Sequence, residues 1–287
     1  MARIIGGLGT SHVPAIGGAI AKGRQHEPYW KPFFDGFIPV RAWLAEEKPD
    51  VVVMFYNDHG LNFFLDKMPT FAVGAAAEYV NADEGWGLPV QKPFPGDAAF
   101  SWHVIERLVA EEFDITTCQQ MLVDHAFAIP QTLLWPGGAR PVRTVPIAIN
   151  TVQHPLPSPR RCYKLGQAVG RAIESYPEDL KVLVLGTGGL SHQLDGERAG
   201  FINKPFDLMC MDKLATDPEA LTAYSSLDLI EQAGTQGVEL LMWIAMRGAL
   251  GEDVREIHRN YHIPISNTAA GLLVLEKGGG PMRQAAE

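Results

Sequence analysis

Cysteine is scarce in this sequence. Cys118, Cys162 and Cys210 are the three present, they lie far apart, and no CxxC pair occurs. That excludes a disulfide framework or a zinc knuckle and suits reduced thiols in a cytoplasm. Long apolar stretches are missing too: nowhere do eighteen apolar residues run together, and the first nine residues carry Arg3 and then glycines. Neither a membrane span nor a standard export signal is therefore expected. Basic clusters are equally absent. With 24 basic against 33 acidic residues, a formal charge of −9 and Arg160-Arg161 as the longest basic run, nucleic acid is excluded as a partner. An anionic substrate would have to be held by local donors or a metal, because the overall charge does not steer it in. The H-E-x-x-H helix of zinc proteases and the G-x-G-x-x-G turn of dinucleotide sites are also lacking.

What is present is 287 residues with 46% hydrophobic content, enough to bury the core of one large α/β domain. Three apolar runs each end in a short polar turn that carries a histidine. Arg3–Gly9 leads into Thr10-Ser11-His12, Val51–Tyr56 into Asn57-Asp58-His59, and Lys181–Gly186 into Thr187-Gly188-Gly189-Leu190-Ser191-His192. Such runs read as buried strands of a parallel sheet, whose ligands gather at the carboxyl ends of the strands. The coarse pattern places strands over 2–9, 50–56, 70–74, 142–149, 181–186 and 269–275. Helices are expected over 31–46, 97–111, 159–175, 203–214 and 236–248. Strands alternating with helices predict a single domain over 1–277, a mostly parallel central sheet flanked by helices, and a frayed tail over 278–287. The stretch 76–96 shows no clear period and reads as a long loop.

His12 and His59 share a strand–polar–polar–His pattern, and neutral imidazole is the commonest metal ligand. Asp58 either orients the neighbouring ring from behind or caps a turn. Glu239 sits inside Gly237–Met246, nearly all apolar, with no basic neighbour at i+3 or i+4. Burying an unpaired carboxylate costs several kcal/mol, so Glu239 is exposed on a solvent edge, protonated, paired from afar or bound to a cation. Two histidines and a carboxylate suit non-haem Fe(II) and O₂ chemistry, and they suit catalytic zinc as well. His192 is open to two readings: a turn histidine bonded to its own glycine-rich loop, or a group brought close to a metal. The aromatics Trp30, Phe33, Phe34, Phe37 and Trp43 follow helical spacing and read as core or subunit interface. His26, His103, His154, His258 and His262 read as structural or surface residues.

The motifs Thr10-Ser11-His12-Val13-Pro14-Ala15, Tyr56-Asn57-Asp58-His59, Ala82-Asp83-Glu84-Gly85-Trp86-Gly87 and Val123-Asp124-His125 carry a resemblance, as do Gly186–Gln193 and Gly237–Trp243. In this order the chain resembles the catalytic β subunits of class III extradiol ring-cleavage dioxygenases of the protocatechuate 4,5-cleaving type, from Ala2 to about Leu275. The resemblance implies Fe(II) held by His12, His59 and Glu239, His192 as acid/base group, and His125 as a pocket residue touching substrate or oxygen. It implies Ser266 and Asn267 near the substrate's carboxylate, and a small α subunit in an α₂β₂ assembly. Protocatechuate, from the catabolism of lignin-derived aromatics, is the expected substrate, because Val13 and Ser266-Asn267-Thr268 look more like that branch than like gallate- or 3-O-methylgallate-cleaving relatives. Ala126 stands where a glycine is usual, which narrows the expected pocket by one methyl. A zinc hydrolase and a metal-free binding module are the alternatives from another class.

Overall fold

Apolar stretches of four to eight residues become the central strands of one sheet because each is buried on both faces. A computed structural model describes residues 1–278 apart from Trp86 and Arg140; the expected tail beyond Gly278 and the Trp86 position of the 82–87 motif lie outside the described residues. The strands are β1 (Arg3–Thr10), β2 (Val51–Tyr56), β3 (Phe71–Gly74), β4 (Glu78–Asn81), β5 (Phe94–Pro95), β6 (Thr116–Cys118), β7 (Leu122–Val123), β8 (Arg143–Ile149), β9 (Lys181–Thr187), β10 (Val254–Ile265) and β11 (Thr268–Lys277). Eight of them form the main sheet in the order β10-β11-β1-β9-β2-β8-β3-β6, and β5-β4-β7 make a small second one. Within the main sheet β1, β9, β2 and β8 run parallel. The β10–β11 hairpin is added antiparallel beside β1, and β3 runs antiparallel to β8.

The helices are α1 (Pro14–Ala21), α2 (Lys31–Asp35), α3 (Ile38–Glu47), α4 (Ala98–Ala110), α5 (His125–Leu134), α6 (Pro159–Glu174), α7 (Lys204–Thr216), α8 (Ser226–Ala233) and α9 (Leu240–Ala249). The two-residue period of β2 divides them into layers. Val51, Val53 and Phe55 pack in one core with Phe100 and Val104 of α4, Leu165 and Val169 of α6 and much of α9. Val52, Met54 and Tyr56 pack in the other with Ile16, Phe33, Leu44 and Leu133 from α1, α2, α3 and α5, and with Phe37 between α2 and α3. A mainly parallel sheet with helices on both faces is the architecture expected from the sequence. Trp30, Phe33, Phe34 and Phe37 are buried, so they serve as core.

Two expected helices are not continuous. The 31–46 helix splits at Gly36 and Phe37, because Pro39 has no N–H to give the Asp35 carbonyl. The 236–248 helix opens as a 3₁₀ turn, Gly237–Glu239, and becomes α-helical at Leu240. Glu239 therefore stands at the amino end of α9, where the helix dipole favours an anion.

Candidate metal centre

Three adjacent parallel strands, β1, β9 and β2, end side by side and deliver His12, His192 and His59 to one place. Thr10 lies opposite Thr187 in the β1–β9 register, so the first two turns leave the sheet together. Glu239 enters from the start of α9. Its Oε2 lies 3.5 Å from His12 Nε2 and 3.7 Å from His192 Nε2, and its Oε1 lies 3.6 Å from His59 Nε2. The fourth imidazole, His125, stacks on His59 with ring centroids 4.3 Å apart and meets the edge of His12 at 5.4 Å.

The orientation of each ring is fixed from behind. His12 Nδ1 faces Thr187 Oγ1 at 3.3 Å, and that hydroxyl already donates to the Ala126 carbonyl, so the ring donates to it. His59 Nδ1 donates to Asp124 Oδ2 at 2.9 Å, and His192 Nδ1 donates to the Leu190 carbonyl at 2.9 Å. His125 Nδ1 is held by Glu84 Oε2 at 2.6 Å, and Glu84 Oε1 accepts the His125 backbone N–H. With Nδ1 engaged in every ring, His12, His59 and His192 each turn Nε2 toward Glu239. A second layer that fixes the tautomer in this way is the usual companion of metal-binding histidines.

The donor set fits a divalent cation. Atoms about 2.1 Å from one ion lie roughly 3.0 to 3.4 Å apart, and the Nε2–carboxylate separations of 3.5 and 3.6 Å approach that spacing rather than that of strong hydrogen bonds. Ligand atoms of His12, His59 and His125 also lie within 4.8 Å of one another. Glu84, Asp124 and His125 satisfy the same spacing. All four oxygens of that acidic pair already accept N–H bonds, which marks them as orienting groups.

Glu239 is 5% exposed, and no lysine or arginine is paired with it among the described residues. Burial alone would raise its carboxyl pKa, yet the imidazoles of His12, His59 and His192 hold it well below the usual range. The Gly189 N–H at 3.0 Å and Asn57 Nδ2 at 3.1 Å also donate to it, and Asn57 Nδ2 sits 3.0 Å from His59 Nε2. Gly188 makes this approach possible. At φ 124°, a Cβ there would stand 2.7 Å from Glu239 Cβ and 2.9 Å from Oε2. Trp243 Nε1 fixes the Gly188 carbonyl from the α9 side at 2.9 Å.

The structure corrects several expectations. Asp58 does not orient a ring: its Oδ2 accepts the N–H groups of Gly60, Leu61, Asn62 and Phe63, so it caps the turn, and Asp124, 65 residues away in sequence, orients His59. A cavity of about 540 Å³ opens over the cluster. Val13, Ser266, His125 and His192 line it, but Asn267 and Ala126 are not among its lining residues. Asn267 is exposed at φ 62° beside Ser266 at φ 48°, which makes the pair the tight turn of the β10–β11 hairpin. Ala126 is fully buried in α5. His154, expected as a surface residue, is exposed and also lines the cavity.

Sequence reading missed Glu84, Asp124 and Asp207 as supports of the site. Asp207 Oδ1 accepts the Ser191 N–H at 2.9 Å, and Oδ2 accepts Ser191 Oγ at 2.6 Å and Tyr261 Oη at 2.7 Å, next door to His192. Asp124 directly before His125 was the one legible signal, since an Asp opening an apolar helical run is a cap.

The fold and the cluster together define an α/β protein with a histidine–carboxylate centre at the carboxyl edge of its sheet. The chain belongs to the family described as the catalytic LigB subunit of aromatic ring-opening dioxygenase, which it matches over residues 6–271. It is 43% identical over 196 residues to a gallate dioxygenase of Pseudomonas putida, a match covering 68% of this chain and 57% of that one. Two 2,3-dihydroxyphenylpropionate/2,3-dihydroxicinnamic acid 1,2-dioxygenases are also similar. The one from Rhodococcus jostii is 40% identical over 54% of this chain and 48% of its own, and one from Rhodococcus sp. is 32% identical over 75% and 80%. The chain thus spans about half the length of the first two relatives. An uncharacterized protein of Escherichia coli K12, of known crystal structure, shares the fold at a TM-score of 0.56 and 12% identity, over 96% of this chain and all of that one.

Proposed function

We propose that this chain carries out extradiol cleavage of a small catecholic acid by O₂ at Fe(II), with His12, His59 and Glu239 as metal ligands and protocatechuate as substrate. The observation that carries the reading is the convergence of three inward-facing Nε2 atoms on one buried carboxylate beneath a cavity of about 540 Å³. When bound, Fe(II) supplies a centre that holds a catechol and O₂ together and passes electrons between them. His192 serves as base and then acid: its Nδ1–H is tied to the Leu190 carbonyl, so the neutral ring presents an Nε2 lone pair to a substrate hydroxyl. His125, held by Glu84 and packed against His12 and His59, is a second polar group for substrate or oxygen. Both atoms of O₂ enter the product, and the ring bond beside the diol breaks to give 4-carboxy-2-hydroxymuconate semialdehyde.

No lysine or arginine lines the cavity among the described residues, so neutral donors such as Ser266 and Thr268 meet the carboxylate. Gallate is the second reading, favoured by the 43% identity to a gallate dioxygenase. Val152 and Leu194 line the mouth while 52% and 55% exposed, which supports a small α subunit as cover in an α₂β₂ assembly. The free thiols of Cys118, Cys162 and Cys210 suit the cytoplasm, and no helix among the described residues is long and apolar enough to cross a membrane. The test is metal analysis with oxygen uptake on protocatechuate and on gallate, with Fe(II) and reductant. Uptake on protocatechuate at the higher kcat/KM supports the first reading, a preference for gallate supports the second, and turnover without O₂ uptake overturns both.

A further inference from the structure

We infer that Gln193 and Gln236 are positioning residues for the acid/base step: their side chains form a reciprocal clasp that fixes the His192 ring against Glu239. The strip 191–194 carries the first group and the segment 233–239 carries the second. The His192 N–H donates to the Ala233 carbonyl at 2.7 Å. From there on the two glutamines cross over. Gln193 Oε1 accepts the Thr235 N–H at 3.1 Å, while Gln236 Oε1 accepts the Leu194 N–H at 3.2 Å and the Thr235 hydroxyl at 2.6 Å. The main-chain carbonyl of Gln236 in turn accepts the Glu239 N–H at 3.0 Å. One residue therefore grips the His192 strip with its side chain and the turn that carries Glu239 with its backbone.

Two glycines make the close approach possible. Gly234 stands at φ 92°, and a Cβ there would run into the His192 carbonyl oxygen; a Cβ on Gly237 would lie 2.5 Å from Ala233 Cβ and 3.4 Å from Ser191 Cα. On its other side the strip pairs with β11. Leu190 N–H donates to the Ala269 carbonyl at 2.9 Å, Ala269 N–H donates to the Ser191 carbonyl at 3.0 Å, and His192 faces Thr268. β11 supports the strip as far as His192, and the glutamines take it up from residue 193 onward. Gripped from both sides, His192 keeps its Nε2 3.7 Å from Glu239 Oε2. A misplacement of about 1 Å at such a pair costs on the order of a hundredfold in rate, even when its cause lies away from the reacting atoms.

The inference rests on the dioxygenase reading, and the experiment separates the two. Gln236→Met keeps the bulk of the side chain and removes the acceptor, whereas Gln236→Glu keeps acceptor oxygens. The Met variant is expected to lose kcat by about tenfold or more while it keeps its iron and its KM for the catechol changes little. The Glu variant is expected to recover most of that loss, which a general weakening of the packing does not allow. Amide hydrogen exchange in the metal-free protein, followed by NMR, is expected to quicken at Leu194 in Gln236→Met and at Thr235 in Gln193→Met. Gln193→Met is expected to show the same fall in kcat and keeps the test valid should Gln236→Met fail to fold. No O₂ uptake by the wild type sinks the dioxygenase reading and the acid/base role with it. An active wild type overturns the clasp alone if the folded Met variants keep its kcat, if Gln236→Glu loses as much as Gln236→Met, or if exchange at Leu194 and Thr235 stays the same.

Discussion

Asp124 takes two hydrogen bonds from His59 on one oxygen: the backbone N–H and the ring Nδ1–H both reach Oδ2 at 2.9 Å, while Oδ1 caps α5 through the Ala126 N–H. One carboxylate thereby places the turn after β2, starts α5 beside His125 and turns His59 Nε2 inward. Asp124→Asn keeps the volume and removes the charge that fixes the ring. Iron affinity is expected to fall roughly 10- to 100-fold, the usual effect of losing such an orienting partner. Titration of the metal-free protein with Fe(II) under anaerobic conditions checks this, and an unchanged affinity in a folded variant removes the orienting role.

The same pair sets a pH dependence. Burial alone would lower the His59 pKa, but Asp124 and Glu239 outweigh it and push the ring up to about 10. Burial alone would raise Asp124, but His59 and His125 bring it down to about 2. In the metal-free protein the proton on His59 competes with the ion, so metal affinity rises with pH across the neutral range and binding releases a proton. The depressed Asp124 value adds stability that is present above its ordinary 3.8 and lost as pH falls through about 2. Metal titrations at several pH values, with proton release followed in weak buffer, give the slope. A flat profile contradicts the competition.

Much of this centre was legible in the chain because strand ends are local features. The runs ending at Thr10, Tyr56 and Thr187 are short, apolar and followed by turn residues, and each delivers its histidine within five residues. Glu239 was visible as a carboxylate without a basic neighbour. The supports were not visible, because they come from afar: Asp124 serves a residue 65 positions earlier, and Glu84 serves one 41 positions later. Asp58, the local alternative, spends its oxygens on its own loop. Elements were missed for equally physical reasons. β10 is an edge strand that is half-buried along most of its length and rich in polar residues, so it shows no apolar run, and α5 contains Pro130, which reads as a breaker.

On the proposed acid/base role, loss of His192 is expected to separate binding from chemistry. Its Nε2 lies 3.7 Å from Glu239 Oε2, slightly farther than that of His12 or His59, and its Nδ1 is tied to its own loop at the Leu190 carbonyl. His192→Ala is expected to retain iron and lose turnover by roughly 10²- to 10⁴-fold, as for removal of an acid/base group. Iron content and kcat measured on one preparation decide it. Loss of iron in step with activity makes His192 a ligand, and full turnover removes it from the chemistry.

Asp207 bonds Ser191, the residue directly before His192, and its effect is separable by pH. Burial raises its carboxyl to about 6, although hydrogen bonds from Ser191 and Tyr261 work against the rise. A folded-state value above the ordinary 3.8 means that the folded protein takes up a proton first as pH falls. The stability this adds is fully present below about 3.8 and is lost as pH rises through about 6. Asp207→Asn cannot take up that proton, so wild type is expected to gain stability relative to the variant between neutral pH and pH about 4. Denaturant unfolding of both proteins at the two ends of that range measures the difference. The variant should also keep its iron while kcat falls, because Asp207 grips Ser191 through both backbone and hydroxyl and so sets where the His192 ring begins. A parallel pair of stability curves shows that the carboxylate does not titrate in this range, and an unaltered kcat shows that it does not position the ring.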